Sequence, residues 1–293
     1  MGVLHHFPDT AWAGGDGAPT RGVEALLEAG GVLVFPSLRF ELQPGERRFL
    51  NAAYADPAAK NISLRMHDEL RGAVLRTGEE HEALRAMLVR FRDQAEALTA
   101  RLFPHYAGST RRGNASFRPV QVEGRVTSWR KDDTRLHVDA FPSNPMRGTR
   151  LLRVFTNVHP AGAPRRWKIG EPFAALAARY VPQIGRPLPG AAWLLAALHV
   201  TKSRRSEYDH IMLQLHDRMK ADLDYQRHAP QQQVDFAPGT TWVCYSDQVL
   251  HAVLGGQFMF EHTQYLEPSQ QLDPQTSPLR VLEALTGRPL LQG

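Results

Sequence analysis

The 293-residue chain has one cysteine, Cys244. That excludes an intrachain disulfide and any zinc site built on Cys-x-x-Cys pairs. It suits a reducing compartment. No apolar run approaches the ~20 residues that a membrane span needs, and "GAAWLLAALHV" is the longest candidate. The opening "MGVLHHFPDTAWAGGDG" has no basic segment leading into an apolar core, so no secretory signal is expected. Internal repeats and long low-complexity linkers are also missing. These absences leave an ordinary globular chain, long enough to bury a sizeable core. One domain over 1–293 is expected, with residues 1–22, rich in Gly and Ala toward their end, expected to be mobile.

What is present is positive charge. Thirty-five Lys and Arg stand against 30 Asp and Glu, a net +5. That favours an anionic partner: a nucleic acid, an anionic lipid or an acidic substrate. The basic residues fall in short clusters, Arg111-Arg112, Arg147 to Arg153, Arg165 to Lys168 and Lys202 to Arg205.

The texture changes along the chain. "GVEALLEAG" predicts a short helix ended by Gly30-Gly31, and "GVLVFPS" a buried strand. "PGERRFLNAAY" predicts another helix. Apolar residues at Leu84, Met87, Leu88, Phe91, Ala95, Leu98 and Leu102 mark a long amphipathic helix stopped by Pro104. Strand character runs from about 115 to 160 and again from 234 to 267, around a helical insert at about 171–230. A last helix starts at Ser277-Pro278. Helices followed by a split β core with polar residues at strand ends predict an α+β chain, its core a barrel or two packed sheets.

"RLHVDAFPS" carries the chemistry. In an extended chain, residues two apart point to one side, so His137 and Asp139 face one point. Thirteen His and 15 Asp give roughly 0.7 His-x-Asp pairs by chance, so the pair needs context. The competing His67-Asp68-Glu69 lies in a polar stretch expected at the surface. Downstream, "FAPGTTWVCYSDQVLHAVLGG" places His251 at the start of a strand, 112 residues after Asp139. Two His and one carboxylate form a facial triad that leaves positions open on Fe(II) for a bidentate 2-oxo acid and O2. Zinc usually takes a fourth protein ligand in structural sites and has no redox chemistry. A cation must meet the far carboxylate of the oxo acid. Arg153 is the first candidate, with Asn157 beside it on the same strand face and Arg150 on the opposite face; the alternative for Arg153 is a structural ion pair. Arg130, Lys131 and Arg135 are the other candidate cations.

With these residues in place, the sequence resembles the Kdo hydroxylases over roughly 30–285. The matching stretches are "VLVFPSLRFEL", "KNISL", "SFRPVQVEGR", "SWRKDDTRLHVDAFPS", "RLLRVFTNVHP", "WKIGEPF", "TKSRRSEYDHIMLQLHD" and "SDQVLHAVLGGQF". One departure is His262 in "FEHTQYL", where Gln is expected. The resemblance implies a double-stranded β-helix (a cupin-like jelly roll) with flanking helices. It also implies an Fe(II)/2-oxoglutarate-dependent dioxygenase, with O2 as co-substrate, that hydroxylates C3 of a Kdo sugar on lipid A to give Ko in lipopolysaccharide biosynthesis. The implied location is cytoplasmic, peripheral at the inner face of the inner membrane. A Kdo carboxylate and lipid A phosphates suit a basic protein, and Arg130, Lys131, Arg147, Arg150, Arg166, Arg204 and Arg205 are the candidate anion-reading residues. Two other readings remain: a dioxygenase acting on nucleic acid, not the expected partner, and a non-catalytic cupin-like binder of sugar or lipid.

Overall fold

The structure is a computed structural model that describes residues 3–14, 22–121, 123–124, 127–188 and 190–291, the side chain at 191 excepted. Its first part contains β1 (Leu4–His6), α1 (Val23–Glu28), β2 (Val32–Phe35), β3 (Ile62–Leu64), β4 (Leu70–Arg71) and α2 (Glu79–Leu102). Strands β5 (Arg111–Arg118), β6 (Arg150–Asn157) and β7 (Arg165–Gly170) follow. The insert holds α3 (Phe173–Tyr180), α4 (Ala191–Ala197), α5 (Glu207–Ala221) and α6 (Leu223–His228). Strands β8 (Gln231–Phe236), β9 (Thr241–Tyr245), β10 (His251–Gly255) and β11 (Met259–Leu266) lead to α7 (Pro278–Thr286).

Among the described residues these strands form two sheets. The larger runs β1-β2-β9-β6-β11-β5-β3-β4, and the smaller runs β10-β7-β8. Only the β1–β2 pair is parallel. The period of two in each strand sorts its side chains. Ile62, Leu64, Ala115, Phe117, Leu152, Val154 and Phe260 share one core with the apolar stripe of α2, including Leu84, Met87, Phe91 and Leu98. The Phe91 ring packs against Phe260 at 5.0 Å and Phe40 at 5.4 Å. Emptying such a site by Phe91→Ala costs about 3–5 kcal/mol. On these strands, Ser63, Asn114, Ser116, Arg118, Arg153, Glu261 and Thr263 alternate with the core residues and line a cavity instead.

The two sheets meet through an aromatic cluster. Phe236 stacks on Trp242 at 4.1 Å, and Trp167 stands edge-on to Trp242 at 5.5 Å. Phe155, Trp167, Val253 and Met259 belong both to this cluster and to the cavity wall. The insert packs behind the chain segments that carry the histidines. Tyr208, Ile211, Met212, Leu215 and Met219 of α5 are buried in one cluster with Leu136, Val138, Leu250 and Ala252. The helix begins with a capping box in which Ser206 and Asp209 bond each other's backbone N–H.

Three expectations differ from the structure. Residues 3–14 are tied down: β1 pairs with β2, and Phe7 and Trp12 are buried, Trp12 donating its indole N–H to the Arg39 carbonyl at 2.7 Å. Residues 1–2 and 15–21 lie outside the described residues. "PGERRFLNAAY" makes two short 3-10 turns, Glu46–Phe49 and Ala52–Tyr54, because Asn51 is extended and caps the second turn through its side chain. Strand character after 115 breaks at Arg118 and returns as β6 at Arg150–Asn157, and "RRWKIG", not read as a strand, is β7.

Candidate metal centre

Residues 135–139 run extended beside the start of β10. The N–H of His137 donates to the carbonyl of His251, and the N–H of His251 returns the bond, both at 2.9 Å. The N–H of Asp139 donates to the Ser246 carbonyl, also at 2.9 Å. This pairing puts His137 and Asp139 on the side where β10 presents His251. Nitrogens of the two histidines and an oxygen of Asp139 lie within 4.8 Å of one another.

The tautomers follow from the second ring nitrogen. Nδ1 of His137 is 2.8 Å from the Arg135 carbonyl, and Nδ1 of His251 is 2.8 Å from the Val249 carbonyl. A carbonyl only accepts, so each Nδ1 carries the proton and each Nε2 keeps a lone pair. The rings are 4.6 Å apart, with Trp167 stacked on His251 at 5.1 Å and His216 edge-on to His137 at 5.8 Å. Burial pushes both imidazoles below their usual pKa, toward the neutral form that binds metal. Burial alone would raise Asp139, but the Arg153 guanidinium and the two imidazoles outweigh it and hold the carboxyl well below its usual range. Oδ2 of Asp139 is buried without a hydrogen-bond donor, although Arg153 pairs with it electrostatically at 3.2 Å. Two lone-pair nitrogens and a buried carboxylate oxygen with unused acceptor capacity fit a divalent first-row metal with open positions.

These three residues open onto a cavity of about 430 Å³. Its cations are Lys60, Arg65, Arg118, Arg153, Arg165 and Lys202, against the anions Asp133, Asp139 and Glu261. Among the described residues, six positive against three negative groups give the lining an excess of three positive charges, which suits anionic ligands. Part of that charge is committed. Glu261 is shared by Arg118 and Arg153, each at 2.7 Å, and Lys60 pairs with Asp133 at 2.6 Å. Arg165 is buried and donates to the Gly256 carbonyl at 2.7 Å. Burial works against ionising Asp133, yet Lys60 holds it down to about 2.

Of the residues picked from sequence for the cofactor, Arg153 lines the cavity. Asn157 does not. Its amide donates to the Ala163 and Phe236 carbonyls at 3.1 and 2.9 Å, and its oxygen accepts from the His159 N–H. Arg135 is turned away, donating to the Lys220 carbonyl at 2.7 Å and pairing with Asp132. Arg150, picked for substrate, is fully buried behind the site. It donates to Asp247, Gln271 and Gln248 at 2.7, 2.7 and 2.5 Å, and its guanidinium lies 3.9 Å over the Tyr245 ring. The other picked cations also lie off the cavity wall. Arg130 pairs with Asp217 while Lys131 is exposed; Arg147 donates to the Leu291 carbonyl, Arg166 pairs with Glu123 at another depression, Arg204 is exposed and Arg205 donates to Pro142.

Reasoning from the sequence did not assign Lys60, Asn114, Arg118, Asp133, Lys202 or Glu261 to the site, although Lys202 was noted in a basic cluster; all are on the cavity wall. A signal existed for three of them. Asn114, Ser116 and Arg118 alternate with Ala115 and Phe117, and Glu261 alternates with Phe260, as in strands with one polar face. The departure at His262 faces the other way. It is fully buried with a ring nitrogen 3.2 Å from Glu96 of α2, outside the cavity. His67 and Glu69 are both exposed, as expected of a surface pair.

The comparisons with known proteins agree with this geometry. Residues 15–289 match the family model described as 3-deoxy-D-manno-oct-2-ulosonic acid (Kdo) hydroxylase. The chain belongs to the Kdo hydroxylase family. Among solved structures, this family member is similar to the Kdo hydroxylase KdoO, a non-heme Fe(II) alpha-ketoglutarate-dependent dioxygenase. In complex with alpha-ketoglutarate and Fe(III), KdoO is 42% identical with a TM-score of 0.92, covering 99% of this chain and 97% of that one. Its cobalt(II) complex matches at 42% identity and a TM-score of 0.94, covering 100% and 98%. The complex with succinate and Fe(III) matches at 41% and 0.93, with the same coverage of 100% and 98%. No curated protein matches the chain.

Proposed function

We propose that the chain is an Fe(II)/2-oxoglutarate-dependent dioxygenase that hydroxylates C3 of a Kdo sugar carried on lipid A, giving Ko. The observation that carries this is the buried His137, Asp139, His251 cluster at the base of a cationic cavity, in a member of the Kdo hydroxylase family. The two facing sheets are read as a double-stranded β-helix, and 1–293 as one domain, since each sheet contributes to a shared core. His137, Asp139 and His251 would hold the iron, which supplies the oxidising centre when bound. The overall change joins the sugar C–H, 2-oxoglutarate and O2 into the hydroxylated sugar, succinate and CO2.

The chain's own residues have three tasks. Backbone carbonyls of Arg135 and Val249 aim the two Nε2 atoms. Arg153 keeps Asp139 ionised and, with Arg118, supplies positive charge for the oxo acid's far carboxylate. Lys60, Arg65 and Lys202 line the same cavity and are assigned to the sugar's carboxylate and the lipid A phosphates. Among the described residues no helix is long and apolar enough to cross a membrane. Peripheral contact with the cytoplasmic face of the inner membrane is the arrangement that a membrane-held glycolipid substrate asks for.

The test is turnover. Protein prepared anaerobically is given Fe(II), 2-oxoglutarate, O2 and Kdo-lipid A, and the lipid mass is followed. One added oxygen, absent with His137→Ala, is the expected result. Succinate release with an unchanged lipid would keep the dioxygenase and reject Kdo.

A further inference from the structure

Helix α4 and its flanks hold most of the exposed large apolar side chains among the described residues of the insert, Leu223 of α6 being another. Trp193, Leu194 and Leu198 are 62, 51 and 64% exposed, and Leu188 before the helix and Val200 after it are exposed too. Large aromatic and aliphatic side chains grouped on one short element are unusual on a free surface.

The flanks carry a second, independent signal. From Ile184 to Ser206 the sequence has no Asp or Glu, but it has Arg186, Lys202, Arg204 and Arg205. Arg186, Lys202 and Arg204 are exposed. An apolar segment flanked in the chain by cations, with no acid between 184 and 206, complements an anionic lipid surface, where aromatic and leucine side chains enter the headgroup boundary and Lys and Arg meet phosphates.

The tip is held by bonds. His199 takes a left-handed conformation (φ 55) after the helix, its N–H donating to the Ala196 carbonyl at 3.0 Å while the Val200 N–H donates to Leu195 at 2.9 Å. That pair closes the helix as a Schellman turn. The chain is then pinned to the segment after Asp139. The Lys202 N–H donates to the Ser143 carbonyl at 3.0 Å, and the Arg205 guanidinium donates to Pro142. Lys202, Phe141 and Asn144 all line the metal-bearing cavity. The exposed apolar tip is thus continuous in the chain with the cavity rim.

We infer that α4 and the turn after it, through Trp193, Leu194, Leu198 and Val200, form a docking tip that seats the protein on an anionic lipid bilayer with the cavity rim beside the membrane surface. The inference rests on the reading that the substrate is a membrane glycolipid. Its geometry explains how a sugar that cannot leave its lipid meets a buried metal centre.

The test uses the full chain and a triple variant, Trp193→Ser, Leu194→Ser and Leu198→Ser. Both are sedimented with vesicles of phosphatidylcholine alone and with one-third phosphatidylglycerol. The wild type is expected to bind the anionic vesicles, less so at high salt, and the variant to bind roughly tenfold or more weakly. Turnover of Kdo-lipid A embedded in those vesicles should fall with binding. Turnover of a water-soluble Kdo glycoside should match in the two proteins. Equal sedimentation of both proteins overturns the inference. So does a wild-type dimer that the substitutions dissolve, because the tip is then a protein interface. If neither protein turns over either sugar, the reading of the site fails, while sedimentation still decides the tip.

Discussion

Arg150 gives the sharpest test of how the site is supported, because sequence and structure assign it different tasks. Its guanidinium is fully buried and makes three hydrogen bonds, one to the carboxylate of Asp247. Asp247 also accepts the Leu151 N–H at 3.0 Å and sits in the turn that leads β9 into the His251 strand. Arg150→Ala removes one partner of a buried pair and leaves Asp247 charged, with no counter-ion at that contact. Such a loss costs about 3–5 kcal/mol, far above a surface ion pair. At roughly 2 °C per kcal/mol for a chain of this size, the melting temperature should drop by about 6–10 °C. Thermal unfolding by circular dichroism reads this directly. Cobalt(II) binding, measured well below the transition, should survive in the folded fraction. A variant with unchanged melting temperature but lost turnover would refute the structural assignment and return Arg150 to substrate binding.

Other expectations follow from neighbouring contacts. Arg153→Gln removes the guanidinium beside Asp139 and should weaken cobalt(II) binding by about 10–100-fold, read by absorption titration. His262→Gln should leave the KM for 2-oxoglutarate unchanged, since His262 faces Glu96 and not the cavity; a raised KM would show that the departure reaches the cofactor. Burial would raise Glu96, but His262 and Arg112 hold it down to about 2. A depressed carboxylate stabilises the fold above its ordinary pKa of 4.5 and loses that contribution as pH falls toward 2. Glu96→Gln should therefore be less stable at pH 7 by on the order of 2 kcal/mol after allowance for screening. The gap to wild type should close between pH 4.5 and 2 in denaturant titrations.

The sequence made some features readable for physical reasons. The seven apolar positions predicted for the long helix are all buried on α2, because a period of 3.6 leaves little freedom once one face must be covered. His137, Asp139 and His251 could be picked out because strand geometry sends i and i+2 to one side, and the structure brings all three together. Arg150 and Asn157 show where that logic stops. Alternation gives a strand face, but not whether a polar side chain on it meets solvent, ligand or a buried partner. The meeting of the cavity's charged groups was hidden for another reason. Lys60, Arg118 and Glu261 are far apart in the chain and meet only because the sheet runs β6-β11-β5-β3, an order that no local pattern announces. Strand β7 was obscured by its own charge, since Arg165 is buried inside the protein and not spread on its surface.

The central claim is that this chain couples 2-oxoglutarate breakdown to oxygen insertion at C3 of Kdo. Running the reaction under ¹⁸O2 with Kdo-lipid A measures it most directly, by mass spectrometry of succinate and sugar together. One labelled oxygen in succinate and one in the C3 hydroxyl, in equal amounts and both lost with Asp139→Ala, is the predicted result. Sugar that stays unlabelled while folded, metal-loaded protein makes labelled succinate would contradict the account.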